Sequence, residues 1–193
     1  MHRLVNRSIQ CFLRDTYGPQ VWRDVAAAAG APPEGFEIML HYPPETTDRL
    51  LDAASARLDR PRDEILEDIG TYLASHDNTA PLRRLLRFGG VTFADFLYSL
   101  EDLPGRARLA VPELELPSLD LEDAGDRLRL VCRSPLAGTG LIILGMLRAL
   151  ADDYGALALF DHGEADGAEV VTIQLLDQRW SEGRRFRLAA ATL

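Results

Sequence analysis

Lysine is missing altogether: all 21 basic residues of this 193-residue chain are arginine. Lysine-nucleophile and Schiff-base chemistry are thereby excluded, and no phosphate-loop lysine can exist. Cysteine is scarce. Cys11 and Cys132 stand far apart with no CxxC pair and no Cys/His cluster, so neither a zinc knuckle nor a disulfide framework is indicated. A reducing cytoplasm is the expected compartment. Long apolar runs are missing too. The longest, Leu136 to Leu147, is too short to span a bilayer and is closed by Arg148. The opening stretch MHRLVNRSIQCFLRD carries three arginines instead of the continuous apolar core of a signal peptide. Positive charge is the minority sign. Thirty acidic residues against 21 basic ones leave a net charge of −9, which repels phosphate backbones and makes nucleic acid an unexpected partner. What is present is ordinary globular material, 47% hydrophobic and 26% charged, enough for one domain or two small subdomains sharing a core.

The first hundred residues read as helices. Val5, Ile9, Phe12 and Leu13 recur at helical spacing, and Tyr17-Gly18-Pro19 ends that helix. Val21, Trp22 and Val25 begin a second, running through alanines to Gly30, and Gly30 to Pro44 is mostly loop. Thr47 to Leu58 forms a third helix. Pro61 opens a fourth, whose core face is Ile65, Leu66, Ile69, Tyr72 and Leu73. A short helix around Pro81 to Arg87 ends at Gly89-Gly90. Thr92 then fits as N-cap with Asp95 as its reciprocal partner, and Val91 and Phe96 fall where a hydrophobic staple would put them. The stripe Phe93, Phe96, Leu97, Leu100, Leu103 carries this helix up to Pro104-Gly105, where proline should stop it.

The remainder reads as α+β. Val111 to Pro117 is a proline-bounded linker. Leu128, Leu130 and Cys132 alternate along a half-buried strand. Gly138 to Tyr154 is a helix apolar nearly all round at its start, hence buried. Ala156 to Phe160 is a strand, Asp161 to Gly167 a turn, and Val171, Ile173 and Leu175 alternate along the next strand. Ser181-Glu182-Gly183 turns into a last strand, Arg185 to Ala189.

Familiar chemistry is poorly represented. Gly138-Thr139-Gly140 follows a strand and precedes a helix, but Gly145 is wrongly spaced for GxGxxG, so tight helix packing is the expected role. Asp161, Glu164 and Asp166 lack EF-hand spacing. Glu101 and Asp102 are adjacent on a helix and point apart. Ser8, Ser55 and Ser75 have no GxSxG setting. No enzyme signature is found, and no enzymatic activity is expected.

Taken in order, several blocks resemble the H-NOX family (haem-nitric oxide/oxygen binding, HNOB). They are Leu4-Val5 through Tyr17-Gly18 with Trp22; Asp63-Glu64-Ile65-Leu66 with Ile69-Gly70 and Tyr72-Leu73; Leu85-Leu86-Arg87-Phe88-Gly89; Phe96-Leu97 with Leu100-Glu101-Asp102-Leu103; Arg108-Leu109, Pro112 and Leu116-Pro117; and Arg133-Ser134-Pro135 ahead of a glycine-rich helix. The resemblance covers nearly the whole chain, 1–193. It implies an α+β, H-NOX-like fold, with a helical subdomain (1–103) packed on an α/β subdomain (104–193) that carries an antiparallel sheet with helices. It further implies a haem cleft between them, a hinge near Pro104 to Pro117, and a signalling partner such as a histidine kinase or diguanylate cyclase.

Two family positions depart from the pattern. The axial histidine follows a Leu-Asp-Asp-Ile type segment, which here reads Leu100-Glu101-Asp102-Leu103-Pro104; Pro117 aligns without a gap with the family's porphyrin-packing proline. The ligand position is therefore Pro104, which has no lone pair to give iron. The Tyr-x-Ser-x-Arg motif that holds the propionates reads Cys132-Arg133-Ser134-Pro135-Leu136, and only the serine survives. By resemblance the cleft residues are Leu4, Val5, Ile9, Ile69, Leu73, Leu97, Leu100, Pro104, Pro117, Cys132, Ser134 and Leu136, with no metal ligand among them. The expected protein is a haem-independent, cytoplasmic sensor or regulatory domain that takes no cofactor. It would act through a protein partner or an apolar small molecule such as a fatty acid or tetrapyrrole. The alternative is a haem gas sensor using a non-family ligand. For that role His76 reads as a helix cap, His162 as a solvated turn residue and Cys132 as a buried thiol, while His2 and His41 have no assigned direction.

Overall fold

The helical spacing of Ile9, Phe12 and Leu13 puts all three on the buried face of α1 (His2–Tyr17). The computed structural model describes residues 2–37, 42–43, 45–87, 89–105 and 116–177, with the backbone alone at His2, Arg3, Leu4 and Pro81. Pro19 opens α2 (Pro19–Ala29), and Gly30 closes it in the left-handed conformation, its N–H reaching the Ala26 and Ala27 carbonyls. Next come α3 (Glu45–Leu58) and α4 (Arg62–Ser75), the latter with Pro61 at its N-cap. A 3₁₀ turn (Asp77–Thr79) leads into α5 (Ala80–Arg87) and α6 (Phe93–Tyr98). The capping box at α6 forms as expected: Asp95 N–H donates to Thr92 Oγ1 at 3.1 Å, and Thr92 N–H donates to Asp95 Oδ2 at 3.0 Å. The staple does not form, because Val91 is 93% exposed.

The sheet consists of β1 (Ser118–Asp123), β2 (Leu128–Arg133), β3 (Leu157–Ala165) and β4 (Ala168–Asp177). Its order is β1-β2-β4-β3 and every pairing is antiparallel. Between β2 and β3 runs α7 (Thr139–Tyr154). The architecture is α+β, helices followed by an antiparallel sheet with α7 laid across one face.

Three local expectations need correction. α6 stops at Tyr98, and Leu103-Pro104-Gly105 is helical again. Pro104 thus lies at the start of a helical turn, where its missing N–H costs nothing, instead of ending a long helix. β1 occupies a stretch, 118–123, to which the sequence assigns no element. β3 continues through Asp161 to Ala165, so the turn shrinks to Asp166-Gly167, both at positive φ (53° and 74°). An Asp-Gly pair suits that two-residue hairpin, and the polar residues before it lie on an edge strand that water can reach. His162, expected in a solvated turn, consequently stands on β3. The expected strand Arg185–Ala189 with its turn, His41, and the hinge and linker between 106 and 115 lie outside the described residues.

Two large apolar cores result, beside a small cluster of Val131, Ala168 and Val170. One joins α1 to α4 through Ile9, Leu13, Trp22, Val25, Leu50, Leu51, Ile65 and Ile69. The other fills the space between α7 and the sheet, and draws in Leu86, Phe93, Phe96, Leu97 and Leu100 from before Leu103. α7 belongs to both: Ile142 packs in the first core, while Ile143, Leu144, Leu147 and Leu150 pack in the second. That explains a helix apolar nearly all round. Its crossing with α4 is glycine-made. A Cβ on Gly145 would lie 1.9 Å from the Glu67 carbonyl oxygen, and one on Gly70 would lie 1.9 Å from that of Ile142. Only glycine lets these two backbones approach so closely.

Candidate functional site

Next to the glycine crossing the two cores part and leave a cavity of about 320 Å³. α7 supplies one wall through Thr139, Ile142, Ile143, Met146, Leu147 and Leu150, a helical stripe at i, i+3, i+4, i+7, i+8, i+11. Opposite stand Val5 and Ser8 of α1 and Ile69 and Leu73 of α4. Leu82, Leu85 and Leu86 of α5 close one side. Phe96, Leu100, Leu103, Pro104, Leu116, Pro117 and Leu119 complete the lining.

Six of the residues assigned to the cleft by resemblance are thus brought together: Val5, Ile69, Leu73, Leu100, Pro104 and Pro117. Five are placed elsewhere. Ile9 lies in the helical core and Leu97 in the sheet core. Cys132 is 1% exposed within the sheet core. Leu136 is buried, its N–H bonded to Ser134 Oγ at 3.0 Å, and that Ser134 oxygen also lies 2.8 Å from the Thr139 hydroxyl. The side chain of Leu4 lies outside the described residues. The α7 stripe and the leucines of α5 were not among the expected lining. The all-round apolar pattern of α7 was the signal for the first, since a helix with no polar face must meet apolar surface on two sides.

Three polar arrangements fix the walls. At the C-terminal end of α7, Arg83 makes a bidentate pair with Asp153 (2.7 and 2.5 Å), and the Arg87 guanidinium lies 5.0 Å from the Tyr154 ring centre. Tyr154 in turn donates its hydroxyl to the Gly90 carbonyl at 3.2 Å. These contacts hold α5 against α7. At the other end of α7, Glu169 of β4 accepts the N–H groups of Gly138 and Gly140, both at 2.9 Å, and meets His162 Nε2 at 3.1 Å. A carboxylate at the positive end of the helix is favourable. A Cβ on Gly140 would lie 2.7 Å from Glu169 Oε2 and 2.8 Å from His162 Nε2. The glycine pair therefore serves an anion, but the anion is the protein's own side chain. His162 is half-buried and lies within hydrogen-bond reach of Glu169, contrary to the solvated turn expected for it.

The third arrangement ties α1 to α4. Asp15 accepts from Tyr72 Oη (2.7 Å), Asn78 Nδ2 (2.7 Å) and Arg14 Nε (2.9 Å). Burial pushes its carboxyl up, but the Tyr72, Asn78 and Arg14 hydrogen bonds outweigh that and hold it at about 2. His76 caps α4 as expected: its N–H reaches the Tyr72 carbonyl at 3.0 Å, and its Nδ1 accepts from Asn78 N–H at 3.2 Å.

The lining can be tested against the haem that the resemblance implies. An iron porphyrin needs an axial donor and partners for two propionates. Among the described residues no histidine and no cysteine lines the cavity. The one sulfur there is the Met146 thioether, a weak donor that in methionine-ligated haems is paired with an imidazole. Burial, then the charge of Glu169, pushes the Cys132 thiol up to about 12, so it is no ready thiolate. Among the described residues the only hydroxyls in the lining are those of Ser8 and Thr139, and no cation is present in it. The donor set of the described lining does not fit haem in the family's manner.

Comparison with known proteins places the fold. Residues 2–158 match the model of the Haem-NO-binding family (HNOB). Among curated proteins, soluble guanylate cyclase 89Da of Drosophila melanogaster is 22% identical over 160 residues, which are 82% of this chain and 24% of that one. Soluble guanylate cyclase gcy-31 of Caenorhabditis elegans is 25% identical over 154 residues, 79% of this chain and 22% of that one. The chain thus spans about a quarter of the length of these relatives. Among solved structures, an H-NOX protein from S. oneidensis in the Fe(II)NO ligation state superposes with a TM-score of 0.74 at 15% identity, covering 92% of this chain and all of that one. A point mutant of T. Tengcongensis H-NOX does so at 0.71 and 17% identity, covering 90% of this chain and 96% of that one. With the order of its helices, its four-stranded antiparallel sheet and the cavity between its cores, the chain belongs to the Haem-NO-binding (H-NOX) family.

Proposed function

We propose that this chain is a regulatory H-NOX domain that works without haem, senses an apolar small molecule in the cavity and passes the signal to a protein partner. The observation that supports it is the lining itself. A roomy apolar space persists between the two cores, while the position assigned to the family's iron ligand is Pro104. The positions assigned to its propionate partners, Cys132 and Leu136, are buried outside the lining. The cavity falls at the lower end of the roughly 300–1,000 Å³ usual for ligand sites. Because α7 is shared by both cores and forms one wall of the space between them, filling that space biases how the cores sit. Such a bias is what a signalling partner reads. The partner class implied by the family resemblance is a histidine kinase or diguanylate cyclase. The role is regulatory, not catalytic, and cytoplasmic. Among the described residues no helix is long and apolar enough to cross a membrane.

The test is titration of the purified chain with haem, read by absorbance. Only the broad band of loosely adsorbed porphyrin is expected. A sharp Soret band at one haem per chain, abolished by substituting a single histidine or cysteine, would overturn the reading in favour of a haem sensor with a non-family ligand.

A further inference from the structure

We infer that the cavity takes an uncharged single-chain molecule with one hydroxyl or carbonyl oxygen, a medium-chain alcohol or ketone, and that Ser8 holds the oxygen. The inference rests on the cavity being a ligand site, as proposed above, and adds the class of ligand. The α7 wall sets the shape. Its stripe from Thr139 to Leu150 runs about 16 Å along the helix, at about 1.5 Å per residue. A space of about 320 Å³ that follows such a stripe is longer than it is wide, and suits one narrow chain over a broad macrocycle. The lining sets the charge. Apart from Ser8 and Thr139, every described lining residue is apolar. An ionised group drawn inside would lose its hydration with nothing to replace it, and that cost falls alike on a carboxylate, a phosphate and the propionates of a porphyrin. The buried ligand is therefore neutral.

The two hydroxyls set the polar end. Thr139 Oγ1 lies 2.7 Å from the Leu136 carbonyl and 2.8 Å from Ser134 Oγ, so it is engaged within the protein. Ser8 follows Val5 by one helical turn, hence on the same face of α1, and it is half-buried. Among the described residues its hydroxyl has no hydrogen-bond partner. A serine side chain is one carbon and one oxygen, so a serine in the lining brings its hydroxyl to the edge of the space. That hydroxyl both donates and accepts, and meets an alcohol or a ketone equally well. Entry is open beside α5, where Leu85 lines the cavity yet is 36% exposed.

The experiment measures equilibrium binding to the full chain of 1-octanol, 2-octanone, octane and octanoate, each below its solubility or aggregation limit at neutral pH. It is repeated with Ser8→Ala, and with Ile143→Trp and Met146→Trp, either of which obstructs the α7 wall; circular dichroism checks that each variant folds. The alcohol and the ketone should bind at one per chain, and octanoate at least about tenfold more weakly. Ser8→Ala should weaken the alcohol and the ketone about three- to tenfold, the size of one neutral hydrogen bond, and leave octane unchanged. A folded tryptophan variant should bind none of the four. Octanoate that binds as tightly as octanol overturns the neutral class while the cavity stands as a ligand site. A Ser8→Ala loss that is absent, or equal for octane and octanol, overturns the assignment of the oxygen to Ser8. Binding that survives in a folded tryptophan variant overturns the inference, because the probe is then outside the cavity. If none of the four binds, the inference and the proposed ligand site fall together.

Discussion

α7 meets its neighbours in two opposite ways along its length. Against α4 it is dry and backbone-close: Gly145 sits under the Glu67 carbonyl, and Gly70 under that of Ile142. One face away, Ile143, Met146, Leu147 and Leu150 border open space. The same helix therefore carries a contact with no tolerance for one added carbon and a wall with room for many. The contrast locates the rigid element and the adaptable one. The crossing fixes where α7 lies relative to the helical core, and this fixed position keeps the cavity from collapsing. Protein interiors otherwise close such voids, because unfilled walls forfeit dispersion contacts.

The largest predicted effect tests that contrast directly. Gly145→Ala forces the Glu67 backbone away and should cost about 3 kcal/mol, as overpacking against an immovable neighbour does. Leu73→Phe adds three carbons to the one of Gly145→Ala but adds them beside the cavity, and should change stability by less than about 1 kcal/mol. Urea denaturation of the two variants checks both values. If Leu73→Phe is the more damaging of the pair, the cavity is not adaptable and the comparison fails.

The α1–α4 wall supplies the next prediction. Asp15 is held at about 2, below the roughly 3.9 of an unfolded aspartate. Its contribution is therefore complete above about pH 4 and disappears as the pH falls through about 2. A shift of that size corresponds to about 2.5 kcal/mol at neutral pH. Asp15→Asn should remove that amount at neutral pH and nothing once the pH is below about 2. The readout is the difference in unfolding free energy between variant and wild type across that window. A difference that is flat with pH would mean that Asp15 contributes through packing alone.

How much of this was legible in the sequence follows the reach of each interaction. The Thr92–Asp95 box and the break at Tyr17-Gly18-Pro19 depend on residues close in the chain, and both were readable. β1 was not. Ser118-Leu-Asp-Leu-Glu-Asp alternates, but its acids argue against a strand. They become tolerable only when β2 places Arg133 beside Asp120 and Arg129 beside Glu122, partners 13 and seven residues away. His162 was misread for a related reason. Its local string is polar, yet its environment is set by Glu169 across the hairpin and by the absence of a side chain on Gly140. At the cavity, six of the residues named from the family resemblance, Val5, Ile69, Leu73, Leu100, Pro104 and Pro117, stand together in one lining. Ile9 and Leu97 pack inside the two cores instead, and apolar periodicity names a buried face without saying whether it meets a core or a cavity. The leucines of α5 were invisible as lining because their orientation depends on Asp153, 70 positions beyond Arg83.

That dependence gives the smallest prediction and bears most on how the cavity opens. α5 is eight residues long, too short to persist as an isolated helix. Its place over the cavity comes from the leucines beneath it and from the Arg83–Asp153 pair. Arg83 is 32% exposed and Asp153 21%, so solvent and salt screen the pair and it should contribute only about 0.5–1 kcal/mol to global stability. Arg83→Gln should therefore barely move the urea midpoint. It should instead raise amide exchange locally, at Leu82, Leu85 and Leu86, while the amides of α7 facing the sheet keep their protection. The Arg87–Tyr154 contact remains in that variant, so α5 loosens at one end and keeps its anchor at the other. If exchange in α5 is unchanged, the leucines alone hold it, and access to the cavity is governed by apolar packing and not by the ion pair. If α7 exchanges faster as well, the wall and the helix beside it open as one unit, and the division of α7 into a rigid and an adaptable face does not extend to its C-terminal end.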